Sequence, residues 1–312
     1  MYEPTKPYKK QILEIIEQTW ETPYVSVKKD REDIYPTITR KFVGIEVDHT
    51  DGIGTKGVYH LSQRTFRNAA LDALAMNLND LALSRAIPYK LQNHIIIPED
   101  DKSAIIEIIA ALTEECKKRQ IAITGGETSI QNTTHGLDIS LTVSGLIKKY
   151  KPSSLPPGDI LIGFKSSGLH SNGFTKVREI FGDEYRDEFV EPTKIYSDTI
   201  SCLEEIVNIH GMMHITGGGF TKLKDITSNH IIISKPKLLQ PHKIFYELYE
   251  KGVPDDEMYK TFNCGIGFII AVSAEDANKI TQDKDSEVIG QVIPGNGKIT
   301  IESSFSDKEV VF

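Results

Sequence analysis

The sequence predicts an α/β (α+β) protein of two domains, and three features of its pattern support that prediction. Short apolar runs alternate with amphipathic, helix-like segments through the first half of the chain, as they do in layered folds. A segment rich in lysine, proline and serine, residues 148–159, then interrupts the pattern and marks a domain boundary. At 312 residues the chain has the length of two ordinary domains, which we place at 1–150 and 151–312.

In the first domain, isoleucines at near-helical spacing predict a helix from Tyr8 to Thr22. Residues 25–41 show no clear pattern. The run FVGIEVD, residues 42–48, predicts a strand that enters a polar, glycine-rich segment. A long helix follows over 65–86 and ends before Pro88. Further along come the strand LQNHIIIP, the amphipathic helix DKSAIIEIIAALTEECKKRQ, and the strands IAIT and DISLTVSGLI.

In the second domain, the run ILIGFK predicts a strand that ends in the segment SSGLHSNG, and FTKVREIFG predicts the helix after it. Residues 199–210 predict another helix. The run MMHI is strand-like and leads through three glycines into a helix, whereas NCGIGFIIAV predicts a late, buried strand.

Composition narrows the class of partner. The net charge of −8 argues against nucleic acid, because phosphate backbones favour basic surfaces. The three cysteines show neither zinc nor disulfide spacing, which favours a reducing compartment. No apolar run approaches the about 18 residues that a membrane helix needs. We therefore expect a cytoplasmic protein that acts on small molecules, with no nucleic-acid or membrane partner.

Four polar glycine-rich segments each follow a short apolar run: HTDGIGTKG, TGGETS, SSGLHSNG and HITGGGF. One such segment is compatible with a plain turn, because glycine permits positive φ. Four of them, each carrying a polar or acidic residue, favour a ligand role. TGGGFTKLKD could in addition place backbone N–H groups at a helix N-terminus, where anions bind.

Three carboxylates from separate segments are candidates for a metal site: Asp51, Asp80 and Glu127. Magnesium prefers oxygen ligands, and takes one or two carboxylates together with phosphate oxygens. Zinc would instead require histidine and cysteine. The alternative for Asp80 alone is a helix cap or a solvent-facing side chain.

Lys56 is the predicted phosphate-facing charge of the first segment, although the chain contains no P-loop spacing. His170 and His214 each lie in or beside a glycine-rich segment and could bind a phosphate or transfer a proton. Their alternative is structural hydrogen bonding. No G-x-S-x-G motif indicates a serine nucleophile.

Seven segments occur in one order over residues 46–270: TDGIGTK, NDL, GGET, SSGLHSNGF, EPTKIY, HITGGGF and MYKTFNCGIGF. Together they resemble the aminoimidazole ribonucleotide synthetase (phosphoribosylformylglycinamidine cyclo-ligase) family of purine biosynthesis. Wider relatives include selenophosphate synthetase, thiamine-monophosphate kinase and a hydrogenase maturation protein. The resemblance implies two α/β domains and a homodimer whose N-terminal domains join in a β-barrel, with ATP in a cleft near that interface.

The resemblance also implies roles for residues. Those on the ATP and Mg²⁺ side are Asp51, Gly52, Gly54, Thr55, Lys56, Asp80, Gly125, Gly126 and Glu127. Those on the substrate and phosphate side are Ser167, His170, Asn172, His214, Gly217, Gly218 and Gly219. His170, His214 and Lys56 are the catalytic candidates. The implied reaction activates a formamide oxygen of a phosphoribosyl intermediate with the γ-phosphoryl group of ATP, after which an internal nitrogen closes the imidazole ring.

The N-terminal region departs from the family pattern. Family members have a glycine-rich segment, roughly GGFGAL, shortly before the first aspartate segment and a DAG element near the start, whereas residues 24–48 contain neither. Lys28 or Lys29 could contact phosphates there, or belong to a solvated charge run. Two other functions fit the motifs: phosphoryl transfer to another small substrate, and nucleotide binding without catalysis. The retained acids argue against the second.

Overall fold

The computed structural model of the protein describes residues 8–30, 33–148, 150–280 and 285–312. The chain divides into two compact units, Met1–Tyr150 and Lys151–Phe312, and the division falls in the lysine- and proline-rich segment. Each unit has its own sheet and its own helices. The predicted α/β (α+β) class is confirmed.

The first unit packs helices on one face of a four-stranded sheet. The strands of that sheet are β3 (Ile45–Gly52), β4 (Ala86–Ile97), β5 (Ala122–Ile130) and β6 (Asp138–Ile147), and β1 (Val25–Lys28) and β2 (Thr37–Arg40) pair separately with each other. Its α-helices are α1 (Lys9–Ile16), α2 (Gly57–Gln63), α3 (Phe66–Leu83) and α4 (Lys102–Lys118). Short 3₁₀ helices cover Glu17–Thr19 and Gly54–Lys56.

The four-stranded sheet has the order β3-β6-β4-β5, and only β4 and β5 run parallel. Helix α3 lies on its inner face, where Leu91, Ile95 and Val143 are buried. The outer face carries exposed polar side chains such as Thr50 and Gln92. This sheet is open, with β3 and β5 at its edges, so the predicted β-barrel is not formed within one copy of the chain. Closure would require strands from a second copy.

The glycine-rich segments HTDGIGTKG and TGGETS, which we predicted to follow strands, are themselves strands over much of their length. Residues 48–52 continue β3 and pair with β6, and GGETS lies inside β5 and pairs with β4. The pattern misses this because ladder hydrogen bonds come from strands distant in sequence. The patternless region 25–41 contains the hairpin β1–β2, with Val25 and Val27 buried.

The second unit is a seven-stranded sheet with helices. Its strands are β7 (Ile160–Lys165), β8 (Gly211–His214), β9 (His230–Ile233), β10 (Ile266–Val272), β11 (Ser286–Ile293), β12 (Ile299–Glu302) and β13 (Glu309–Val311). Its α-helices are α5 (Phe174–Phe181), α6 (Ser197–Glu204), α7 (Lys243–Glu250), α8 (Asp255–Thr261) and α9 (Ala274–Ala277). Two 3₁₀ helices cover Asp187–Phe189 and Gly219–Ile226.

The order of this sheet is β13-β12-β9-β11-β7-β10-β8. Strand β10, which is buried at every residue, lies between β7 and β8 and runs antiparallel to both. The start of β10 therefore lies at the same sheet edge as the ends of β7 and β8. Among the described helices, none is long and apolar enough to cross a membrane.

Candidate active site

Asp51 lies near the end of β3 and faces the helices of the first unit. It pairs with Leu141 of β6, which in turn pairs with Asn93 of β4, so the three side chains share the inner face of the sheet. One carboxylate oxygen of Asp51 accepts the Gly52 N–H at 2.7 Å, and its carbonyl accepts the Asn77 amide at 3.0 Å. Asp51 is thus held at its backbone and stays half-exposed.

Asp80 is brought to the same neighbourhood by His49 and Asn77. Asn77 uses its amide N–H group on the carbonyls of Asp51 and Ala73, so its oxygen is the acceptor for His49 Nδ1 at 3.0 Å. His49 Nε2 lies 3.4 Å from Asp80 Oδ2. The hydrogen bond to Asp80 raises the pKa of His49 although burial opposes it, and two acceptors suit an imidazolium that donates from both nitrogens.

Glu127 does not join Asp51 and Asp80. It pairs with His94 of β4, the residue after Asn93, and successive residues of a strand face opposite sides of the sheet. Glu127 and His94 are therefore exposed on the outer face, whereas Asn93 lies on the inner face. Gly125 and Gly126 precede it in β5. A Cβ on Gly126 would come within 2.5 Å of the Asn93 side-chain amide, which explains a glycine at that position.

Asp51 and Asp80 form a pair of carboxylates that suits Mg²⁺. Among the described residues, no three His, Cys, Asp or Glu side chains converge as ligands of a metal ion. Asp51 and Asp80 supply two carboxylates, a set that fits Mg²⁺ because this ion commonly completes its shell with waters and phosphate oxygens. Of the three predicted ligands, Asp51 and Asp80 therefore both lie near His49.

Lys56, the predicted phosphate-facing charge, is buried in the first unit. Its side chain has 0% exposure, and its ammonium lies 2.8 Å and 3.0 Å from the two carboxylate oxygens of Asp72 on α3. His60 Nε2 contacts the same carboxylate at 2.8 Å. The physical reason is that residues 54–60 fold as the 3₁₀ helix and the start of α2, so the Lys56 side chain points toward Asp72 of α3 and not toward solvent. Gly54 remains exposed and Thr55 half-exposed.

In the second unit, three predicted segments meet at one sheet edge. SSGLHSNG follows β7, TGGG follows β8, and NCG precedes β10. Asn263 joins two of them, because its amide donates to the Gly168 carbonyl at 2.7 Å while its oxygen accepts the Gly265 N–H at 2.9 Å. Because β10 runs antiparallel to β7 and β8, these three loops, the candidate substrate-binding loops, lie next to one another.

His170 and His214 form a buried group with Tyr196 at this edge. Their ring centroids are 6.5 Å apart, and each lies 6.1–6.3 Å from the Tyr196 ring. His170 Nε2 accepts the Ser167 N–H at 3.2 Å, and Tyr196 donates to the Lys165 carbonyl at 2.8 Å. The two histidines are brought together, but inside the unit: their exposures are 1% and 0%.

The remaining candidates line the same loops. Ser167 Oγ donates to the Pro192 carbonyl at 2.6 Å. A Cβ on Gly217 would lie 3.5 Å from the Asn172 side-chain oxygen, which places these two loops side by side. Gly218 and Gly219 have φ values of +88° and +53°, and the Gly219 N–H donates to the Thr216 carbonyl at 2.7 Å. That amide is therefore engaged within the turn.

Two family models match the chain: residues 45–147 match the N-terminal domain, and residues 156–302 the C-terminal domain, of AIR synthase related proteins. The chain belongs to the AIR synthase related family. This confirms the resemblance that the motifs indicated.

The relatives of this AIR synthase related chain include two enzymes named phosphoribosylformylglycinamidine cyclo-ligase. The one from Saccharolobus solfataricus is 37% identical over 267 residues, covering 82% of this chain and 81% of the relative. The one from Pyrococcus furiosus is 37% identical over 248 residues, covering 75% and 73%.

Two solved structures share the fold of this chain. Hydrogenase maturation protein HypE in complex with ATP matches with a TM-score of 0.68 and 14% identity, covering 97% of this chain and 92% of that one. Thiamine monophosphate kinase from Aquifex aeolicus matches with a TM-score of 0.61 and 17% identity, covering 87% and 90%.

Sequence reasoning missed the polar residues that hold the AIR synthase related site together. Asp72 and Asn77 are buried in α3, a helix of mainly apolar residues, and a polar side chain in such a helix is the signal that could have revealed them. Tyr196 and Gly267 lie in two segments that carried the resemblance, EPTKIY and MYKTFNCGIGF, but nothing in the sequence shows that they meet. The structure shows it, because a Cβ on Gly267 would come within 2.1 Å of the Tyr196 hydroxyl oxygen.

Proposed function

We propose that the protein catalyses ATP-dependent ring closure of formylglycinamidine ribonucleotide to aminoimidazole ribonucleotide. One observation carries this proposal: a relative named as the cyclo-ligase is 37% identical over 267 residues that cover most of both chains. The motifs behind the resemblance lie in both units, so the similarity includes both groups of candidate residues.

The reaction consists of two balanced steps. The formamide oxygen takes the γ-phosphoryl group of ATP, and ADP leaves. The internal nitrogen then attacks the activated carbon and loses its proton, the carbon–oxygen bond breaks, and phosphate leaves with that oxygen as the imidazole ring forms. Such chemistry depends on positioning and charge neutralisation rather than on a protein nucleophile.

In the first unit, Asp51 and Asp80 are the groups that would hold Mg²⁺, and a bound Mg²⁺ would neutralise developing charge on the phosphates. His49 contacts the Asp80 carboxylate, and Asn77, which accepts from His49, holds the main-chain carbonyl of Asp51. The backbone of Gly52, Gly54 and Thr55 stays close to that site, which suits contact with phosphate oxygens. Glu127 remains a predicted ligand that the first unit of one copy does not place there.

In the second unit, the loops at the β7, β8 and β10 edge are the proposed substrate side. Asn172 and Ser167 contribute polar side chains there, the Ser167 hydroxyl donating to the Pro192 carbonyl, and Gly217 and Gly218 allow close backbone approach. His170 and His214 lie beneath these loops, and their burial supports a role in holding loop geometry. Direct proton transfer by either histidine would require the loops to open.

We also propose a homodimer through the first unit. Its sheet leaves the outer face uncovered, and among the described residues no strand pairs with the free edge of β3. An unpaired edge of this kind is a template for another chain. Two copies joined there could form the β-barrel that the resemblance implies.

The test is an assay of the purified protein with formylglycinamidine ribonucleotide, ATP and Mg²⁺. We expect equal amounts of aminoimidazole ribonucleotide, ADP and phosphate, with no product when ATP is omitted. Product is measured by diazotisation of its aromatic amine and ADP by chromatography. ADP release without ring closure would instead support phosphoryl transfer to another substrate. ATP binding without turnover would support a non-catalytic relative.

A further inference from the structure

The first unit contains a charged cluster that the reaction as described does not use. Lys56, Asp72 and His60 each have side chains with 0% exposure. Asp72 accepts from Lys56 through both oxygens and from His60 Nε2, and His60 Nδ1 lies 2.7 Å from the Thr65 hydroxyl. Burying such a pair contributes little to stability compared with apolar packing, so its presence calls for another explanation.

The protonation of the cluster follows from its contacts. Burial opposes the charge on Asp72, but Lys56 and His60 hold its pKa well below the ordinary value, so it is a carboxylate. His60 Nε2 therefore donates, and its Nδ1 accepts the Thr65 hydroxyl. Burial lowers the pKa of His60, which leaves it neutral. One ammonium and one carboxylate thus form a cluster of zero net charge.

The cluster lies at one end of the segment that carries Asp51. Helix α3 holds that segment at two points: Asn77 binds the carbonyl of Asp51 at 3.0 Å, and Asp72 binds Lys56 five residues later. Within this segment, Gly52 pairs with Ser140 of β6 and the Ile53 N–H donates to the Ile139 carbonyl at 3.2 Å. Gly54 has a φ of +54° and begins the 3₁₀ helix that leads to Lys56. Asn77 and β6 thus fix the start of the segment, and Asp72 fixes its end.

We propose that Lys56, Asp72 and His60 form a buried clamp that positions residues 51–55 for Mg²⁺ and the phosphates of ATP. Lys56 is then a positioning residue, and its charge is used inside the unit. This inference rests on the proposed function for the identity of the ligand. It extends that function by assigning roles to Asp72 and His60, which act through the segment and touch no ligand.

The experiment is a double-mutant cycle on ATP binding with Lys56→Met, Asp72→Asn and the combined variant. Calorimetry measures the Kd of Mg·ATP for each. We expect either single change to weaken binding by about 10- to 100-fold, the loss typical of residues that orient metal ligands. The combined variant should be no weaker than the worse single variant, because both changes release the same clamp.

Two further readouts separate positioning from general damage. Hydrogen exchange of the ligand-free variants should speed up at the amides of residues 52–57, while the amides of β10 keep wild-type rates. The KM for formylglycinamidine ribonucleotide should stay within about twofold of wild type while the KM for ATP rises. If Lys56→Met fails to fold, Asp72→Asn carries the same measurements, because Asn keeps the shape of the side chain.

Three outcomes would overturn the clamp. If Lys56→Met weakens ATP binding while Asp72→Asn does not, Lys56 contacts phosphate directly. If both variants bind ATP as wild type does, the cluster serves packing alone. If the wild-type protein binds no Mg·ATP, the ligand is wrong. A wild-type protein that binds ATP but closes no ring defeats only the proposed reaction, and the cycle still decides the clamp.

Discussion

Asp48 and Asp51 lie three residues apart in β3, and strand alternation points them to opposite faces of the sheet. Asp48 is exposed and accepts from the Ser144 hydroxyl. Asp51 faces the inner side, where Asn77 binds its carbonyl and Asp80 supplies a second carboxylate through His49. Two chemically identical side chains in one motif thus have different surroundings, which allows a matched test of the metal site.

We expect Asp51→Asn to lower ATP turnover by at least about 100-fold, because removing an electrostatic contact to reacting phosphates commonly costs this much. The fold should survive, since Asn can still accept the Gly52 N–H. Asp48→Asn is the control and should retain nearly wild-type turnover. ADP release and circular dichroism are measured for both. Equal effects of the two changes, or full activity of Asp51→Asn, would contradict the assignment of Asp51 as a metal ligand.

At the scale of elements, the hydrophobic periodicity of the sequence predicted the helices and strands whose own residues show a clear pattern. Strand β6 has the predicted bounds, residues 138–147, and α4 lies within its predicted amphipathic segment. The extents of β3 and β5 were not predictable in this way, since glycine and acidic residues are depleted in strands and only pairing with distant strands keeps them extended. The same reason hid the hairpin β1–β2.

The same distinction applies to the candidate site: motifs indicated some of its residues, but not the contacts between residues distant in sequence. The motifs pointed to Asp51 and to the loop residues of the second unit because these lie in glycine-rich segments, and to Asp80 because it lies in the NDL run of α3. They could not show that Lys56 is buried, since its partner Asp72 is 16 residues away on another helix. Nor could they show that Glu127 faces away from Asp51, because that depends on the register between β4 and β5.

Strand β10 provides a test of how tightly the histidine group is packed. A Cβ on Gly267 would come within 2.1 Å of the Tyr196 hydroxyl oxygen and 2.5 Å of His170 Cε1. We expect Gly267→Ala to lower the free energy of unfolding by about 1–3 kcal/mol, the usual cost of overpacking a buried site. Activity should fall with it, because His170 holds the Ser167 N–H.

Tyr196→Phe is the matched control, since it removes the oxygen that a new Cβ would meet first. Alone it should cost about 1 kcal/mol through loss of the hydrogen bond to the Lys165 carbonyl. Combined with Gly267→Ala, it should destabilise the protein by less than the sum of the two single changes. Urea unfolding measures all three variants. Additive effects would mean that Gly267 and Tyr196 do not compete for the same space.

At the scale of the whole molecule, the two sheets differ in how their faces are used. The inner face of the first sheet is covered by α3, but its outer face presents exposed side chains on β3, β4 and β5, with Gln92 of β4 near the centre. A closed barrel removes such an exposed sheet by pairing it with another. The second unit also carries an exposed strand glutamine, Gln291 of β11. The two glutamines allow one substitution to be compared on two sheets.

We expect the protein to have twice the 34.9 kDa mass of one chain by size-exclusion chromatography with light scattering. Gln92→Lys should shift the mass toward that of one chain, because two lysines would be brought together inside a desolvated interface, where like charges repel strongly. Gln291→Lys should leave the mass at two chains. A wild-type protein of single-chain mass, or equal behaviour of the two variants, would exclude a dimer through the outer face of the first sheet. Because the clamp around Asp72 lies on the inner face, Gln92→Lys should also leave hydrogen exchange at residues 52–57 unchanged.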